Sequence, residues 1–185
     1  MIPERTMGTA RKPLSVKLFS GMLSNDVRLF DEAAELLAAE YGPIDMKSGL
    51  VPWNWTDHYR EEMGNGLLRR FVFFERLADP AVLPSLKLFT NRAEERFATR
   101  DGIPRRRINL DPGYLTEAKV VLATTKDYAH RIYIGAGIYA EVPLNYHGNG
   151  FVPLGTTYPD YRSAEVLLLF TRARELLRSA LGTCR

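Results

Sequence analysis

At 185 residues, 45% hydrophobic and 25% charged, the chain has the length and composition of a soluble globular unit able to bury a full core. Twenty-five Lys and Arg against 22 Asp and Glu leave a formal charge of only +3, so a polyanion partner would need a local basic patch. The one cysteine, Cys184, excludes an internal disulfide and a thiolate metal cluster, and no run reaches the ~20 apolar residues of a spanning helix. A cytoplasmic protein with no membrane partner is expected.

Residues 1–13 carry Arg5, Arg11 and Lys12 but no long apolar run, and are read as a flexible tail. A single domain is expected over 14–182, with 183–185 as a second tail. Val16 and Leu18 alternate with Lys17 and Phe19, which predicts a strand from Leu14 to Leu23. Ser24-Asn25-Asp26 offers N-cap side chains to a helix whose stripe is Val27, Phe30, Ala34, Leu37 and Tyr41, stopped by Gly42-Pro43. Ile44 to Val51 reads as a second strand. Thr56 caps a short helix from Asp57 to Met63, closed by Gly64.

Leu67 to Leu77 has apolar residues on both faces around Phe71 to Phe74, the pattern of a central strand covered on both sides. Asp79-Pro80 starts a helix carried by Val82, Leu86, Phe89, Ala93 and Phe97. A strand then follows from Arg105 to Leu110. This order, βαββαβ, predicts an α+β fold with a ferredoxin-like core. Asp111-Pro112-Gly113 is read as a turn and Glu117 to Ala123 as a helix, although Val120, Val121 and Leu122 suit a strand equally. Arg131 to Ile134 and Ile138 to Tyr146 form a hairpin around Gly135-Ala136-Gly137, His147 to Tyr161 is loop, and Ser163 caps a last helix.

Polar chemistry gathers in the second half. Asp111 can serve as base or cation ligand, while the bland alternative is a turn residue. Lys126, Asp127, His130 and Arg131 follow Thr124-Thr125 and can grip a phosphate, or simply pair on the surface. The guanine-reading Thr-Lys-x-Asp element is not met, because Lys126 and Asp127 are adjacent, and no phosphate-cradling Gly-x-x-x-x-Gly-Lys-Ser/Thr run exists. Glu141 interrupts an apolar strand, and Arg131 is its expected partner. His58 and Glu62 share a helical face that, with Asp111, would suit a hard cation such as Mg²⁺; a solvated helix face explains them as well.

Arg69, Arg70 and Arg105-Arg106-Arg107, beside the aromatic strand, raise a nucleic-acid platform as an alternative, although Arg70 and Val72 stand where an RNA-recognition motif wants small residues.

Glu62-Met63-Gly64, Leu86 to Asn91, Asn109 to Leu115, Thr125-Lys126-Asp127, His130 to Tyr133, Gly137 to Glu141 and Thr157 to Tyr161 together resemble the prokaryotic domain-of-unknown-function family 4416. The resemblance implies a small cytoplasmic protein of bacteria or archaea and no particular activity. The functional expectation is an enzyme or ligand-binding protein for a phosphorylated or carboxylated small molecule, with Mg²⁺ as the candidate cofactor. Asp111, His130 and Glu141 are its catalytic candidates; Asn91, Asn109, Lys126, Asp127, Arg131 and Asp160 its binding candidates. The alternatives are an RNA- or protein-binding module using the Arg105-Arg106-Arg107 region and a scaffold in which these residues are clasps.

Overall fold

The computed structural model describes residues 8–55, 59–100 and 103–182. In chain order the elements are β1 (Val16–Ser24), α1 (Val27–Tyr41), β2 (Ile44–Lys47), β3 (Val51–Pro52), a one-turn α2 (Arg60–Met63) and β4 (Leu68–Ala78). A 3-10 turn at Pro80–Val82 runs into α3 (Leu83–Phe97), followed by the short β5 (Thr99–Arg100) and β6 (Ile103–Pro104), then β7 (Ile108–Leu115) and β8 (Lys119–Thr124). The chain continues as β9 (Ile132–Gly135), β10 (Ile138–His147), β11 (Gly150–Pro153), a second 3-10 turn (Pro159–Arg162) and α4 (Ala164–Gly182).

Nine strands make one sheet in the order β11-β10-β8-β7-β1-β4-β2, with β3 on β4 and β9 on β10. Every described pairing in it is antiparallel.

Helix caps lie where their chemistry requires them. Asp26 accepts from the Arg28 N–H at 3.1 Å at the head of α1, and Gly42, at φ 100°, ends it with its N–H on the Ala38 carbonyl. Asp79 accepts from Ala81 N–H at the head of the 3-10 turn that runs into α3, and Ser163 accepts from Val166 N–H at the head of α4, so polar side chains there satisfy otherwise orphaned donors.

Strand alternation divides the core in two. Val16, Leu18 and Met22 of β1 and Val72 and Phe74 of β4 pack under α1 and α3, where Phe30, Leu37 and Leu86 meet them. Phe19, Phe71 and Phe73 face the other way, and Phe170 of α4 contacts all three edge-on at centroid distances of 4.9, 5.7 and 5.4 Å. Truncating such a fully buried ring typically costs about 3–5 kcal/mol. Phe71, Phe73 and Phe74 are buried, so the aromatic residues of β4 are not open to base stacking.

Several local expectations are corrected. Glu117 to Ala123 is not a helix: β8 is a strand whose Val120, Val121, Leu122 and Ala123 are buried in alternation between the two core layers, which β-branched and apolar residues tolerate on either face. Asp111-Pro112-Gly113 is not a turn but the middle of β7. That strand begins at Ile108 rather than Arg105, because Arg106 and Arg107 are drawn into ion pairs with Glu94 and Asp26. The Ile44 to Val51 strand is split into β2 and β3, and the His147 to Tyr161 segment contains β11 and a 3-10 turn.

Candidate functional site

The site originates in a gap within the sheet. β1 pairs with β7 along its full length, whereas β8 meets β7 only from Gly113 to Leu115. Towards Ile108 the two strands part. The backbone of Leu110 on this edge, buried and without a strand partner, is satisfied by helix side chains instead: its N–H donates to Glu94 Oε1 at 2.8 Å and its carbonyl accepts from Lys87 Nζ at 2.9 Å.

Pro112 lies two residues on and presents the same edge with a nitrogen that has no hydrogen to leave unpaired. Gly113 marks the apex. A Cβ there would stand 2.3 Å from the Val121 carbonyl oxygen and 2.7 Å from Phe19 Cζ, so only glycine lets the strands touch before they diverge. The resulting cleft encloses about 360 Å³, the scale of a small-molecule pocket.

One wall is organised by Arg69. Asn109, Asp111 and Gly113 alternate onto the α4 side of the sheet, and in register Gly21 of β1 stands between Asp111 and Phe71. Over that glycine the Arg69 guanidinium reaches Asp111, Nη1 to Oδ2 at 2.9 Å, while Nε and Nη2 donate to Asp160 Oδ2 at 2.8 and 2.5 Å. A Cβ on Gly21 would come within 3.2 Å of Arg69 Nη1 and 3.1 Å of the Phe71 ring. The guanidinium also lies 5.5 and 5.8 Å from the Phe71 and Tyr161 ring centres, and Trp53 Nε1 donates to Asp160 at 3.3 Å.

Burial works against ionisation of Asp111, but the charges of Arg69 and Lys87 outweigh it and hold its pKa below the ordinary carboxylate value. It is therefore an anion at neutral pH. Asn109 also lowers that pKa, yet its amide nitrogen meets no acceptor at bonding geometry. Tyr161 Oη is likewise buried without a partner, and burial pushes its pKa well up.

The opposite wall is organised by Glu141. A register shift between Glu141 and Leu144 on β10 inserts a bulge, a device that re-aims a side chain. His130 Nε2 lies 2.8 Å from Glu141 Oε2, and the Arg131 guanidinium stands 3.4 Å from both carboxylate oxygens. Arg131 also donates to Tyr158 Oη at 2.7 Å and to the Lys126 carbonyl at 3.0 Å, under the Tyr128 ring. Burial first, then the Glu141 charge, raises the Tyr158 pKa. The Thr157 to Tyr161 run thereby ties the two walls together, Tyr158 to Arg131 and Asp160 to Arg69.

Of the expected residues, Asn91, Asn109, Asp111, Lys126, Glu141 and Asp160 line the cleft. His130 and Arg131 stand behind Glu141, and Asp127 neighbours Tyr139 instead. His58 lies outside the described residues. The Glu62 carboxylate is 3.5 Å from Arg106, and among the described residues no three His, Cys, Asp or Glu side chains gather as a metal-ligand set.

Sequence reasoning did not connect Arg69 with Asp111, nor single out Gly21, Trp53 or Lys87. A glycine inside a strand and a Lys and Glu seven residues apart on one helical face, Lys87 and Glu94, were the available signals.

Fold and cleft together define an α+β protein on one antiparallel sheet, with a charged cleft of small-molecule size between two of its strands. The chain belongs to DUF4416, a domain of unknown function, whose family model matches residues 14–177. Comparison with curated proteins and with solved structures gives no match. Among the described residues no helix is long and apolar enough to cross a membrane.

Proposed function

We propose that the cleft binds a small molecule carrying a phosphate or carboxylate group. The observation that carries this reading is Lys126, a cation on the cleft lining with no ion pair among the described residues, together with two buried polar atoms without partners, Asn109 Nδ2 and Tyr161 Oη. A buried polar group left unpaired costs about 1–3 kcal/mol, a cost that a bound ligand removes.

The carboxylates of the cleft are already committed, Asp111 and Asp160 to Arg69 and Glu141 to His130 and Arg131. Lys126, exposed at the mouth, has no ion pair among the described residues and is the natural seat for a ligand anion; Arg106, paired with Glu94, is a second cation on the cleft lining. The same commitment of the carboxylates argues for binding without Mg²⁺.

A second reading is catalysis, in which Glu141 faces the ligand as a base and His130, 2.8 Å behind it, holds the carboxylate in place. The ferredoxin-like reading of the core rests on the order β7-β1-β4-β2, fourth-first-third-second among the strands of the βαββαβ unit. A cytoplasmic setting agrees with the single cysteine.

The test is a thermal-shift and calorimetric screen of the purified protein against phosphorylated and carboxylated metabolites, with and without EDTA. Binding raises stability by mass action, about 2.7 kcal/mol at a hundredfold excess over Kd. A shift that persists in EDTA and is lost in the Lys126→Ala, Arg106→Ala double variant supports the reading. A flat panel of anions overturns it.

A further inference from the structure

We infer that the group received beside Asp111 and Asn109 is a vicinal diol, so that the ligand is a sugar phosphate or a polyhydroxy acid. This inference rests on the anion-binding reading of the same cleft. Three features of the inner wall define the chemistry.

Arg69 occupies Asp111 Oδ2, and Asn109, which also lowers the Asp111 pKa, donates to neither carboxylate oxygen at bonding geometry, although the side chain is 30% exposed to the cleft. A carboxylate exposed there calls for a ligand donor. An ammonium could donate there but has no acceptor to offer a neighbouring donor.

Two residues away on the same face, Asn109 is 5% exposed and its amide nitrogen has no acceptor. The ligand must therefore accept at Asn109 while donating at Asp111. A hydroxyl does both through one atom, and a second hydroxyl beside it can serve Tyr161 Oη, which is 1% exposed and also unpartnered.

The neighbouring surfaces suit the same ligand. Trp53, Tyr59 and Tyr158 line the cleft with aromatic area against which the C–H face of a sugar ring or polyol can lie. The anion of such a molecule would then extend towards Lys126 at the mouth.

The experiment measures binding by calorimetry with sets matched except at the diol. Ribose 5-phosphate is compared with 2-deoxyribose 5-phosphate, and tartrate with succinate, which lacks both hydroxyls, and with succinamate, which offers a carboxamide. The diol members should bind at least about tenfold more tightly, because a site built around hydroxyl partners leaves its own polar groups unpaired when they are missing.

Asp111→Ala and Asn109→Ala should each erase that preference. Asn109→Ala is the safer variant, since the lost amide nitrogen meets no acceptor at bonding geometry. Equal binding of diol and deoxy members overturns the diol assignment and leaves the anion site standing. Preference for succinamate overturns it in favour of a carboxamide. No binding by any member overturns both this inference and the reading beneath it.

Discussion

Replacing Arg69 with methionine keeps most of the side-chain length and removes the charge that holds two carboxylates. Asp160 has a side chain only 7% exposed and would keep one short-range partner, Trp53 Nε1 at 3.3 Å. Breaking a buried pair in this way costs about 3–5 kcal/mol, chiefly because the remaining charge is left uncompensated. Asp111 adds less, because its side chain is 30% exposed and water screens it.

The pH dependence follows from the sign of the Asp111 shift. Its native pKa is lowered, so its contribution to stability is present above the unfolded value of about 3.9 and is lost as pH falls through the native pKa. Without Arg69 the leading cause of that lowering disappears, and burial, which raises the pKa, prevails. The penalty in Arg69→Met should accordingly be greatest at pH 7–8 and shrink on acidification towards about pH 4–5.

Urea unfolding of the two proteins across this range measures the effect as a change in midpoint at constant slope. An Arg69→Met, Asp160→Leu double variant should recover part of the loss, since an apolar replacement for a buried ion pair is often neutral. A loss below about 1 kcal/mol, or one independent of pH, refutes the reasoning.

Gly113→Ala should be severely destabilising, by at least about 3 kcal/mol, because its Cβ would stand 2.3 Å from the Val121 carbonyl and strand backbones cannot yield as side chains do; thermal unfolding checks it. Asn109→Ala should leave the ligand-free protein as stable as the parent or up to about 1–3 kcal/mol more stable, since it deletes an unsatisfied buried donor. A marked loss of stability in that variant would show that Asn109 serves the fold.

How far the sequence reveals this arrangement depends on the range of the interaction. Period and capping are local, so α1 behind Asp26, the aromatic β4 and α3 behind Asp79 are all legible. The Asp-Pro-Gly of β7 misleads because proline and glycine usually punctuate turns; here one sits on an edge left unpaired and the other under a strand crossing, which only tertiary structure creates. β8 is ambiguous because Val120 to Ala123 is buried on both faces and so lacks a period.

Composition points to Asp111, Lys126, Arg131 and Glu141, and Arg131 with Glu141 is foreseeable across ten residues of hairpin. The other wall is not, because Arg69 finds Asp111 and Asp160 at separations of 42 and 91 residues. No spacing rule reaches that far.

Among the described residues, three residue pairs between β7 and β8 are the only strand pairing between the leaf β11-β10-β8 and the leaf β7-β1-β4-β2. Gly113 is thus the fulcrum of a V whose arms are otherwise free of each other's backbone. Phe170 of α4 bridges the arms, touching Phe19 and Phe73 on one and Phe151 on the other. The angle of the V is consequently set by side-chain packing rather than by a hydrogen-bond ladder.

Five residues separate Gly113 from Ile108, an arm of roughly 17 Å at strand rise, so a rotation of about 3° at the fulcrum moves the mouth by roughly 1 Å. A methyl group gained or lost beneath Phe170, a ring that touches none of the cleft's ligand-facing charges directly but packs on the Phe71 and Tyr161 rings that carry Arg69, acts on it as a lever.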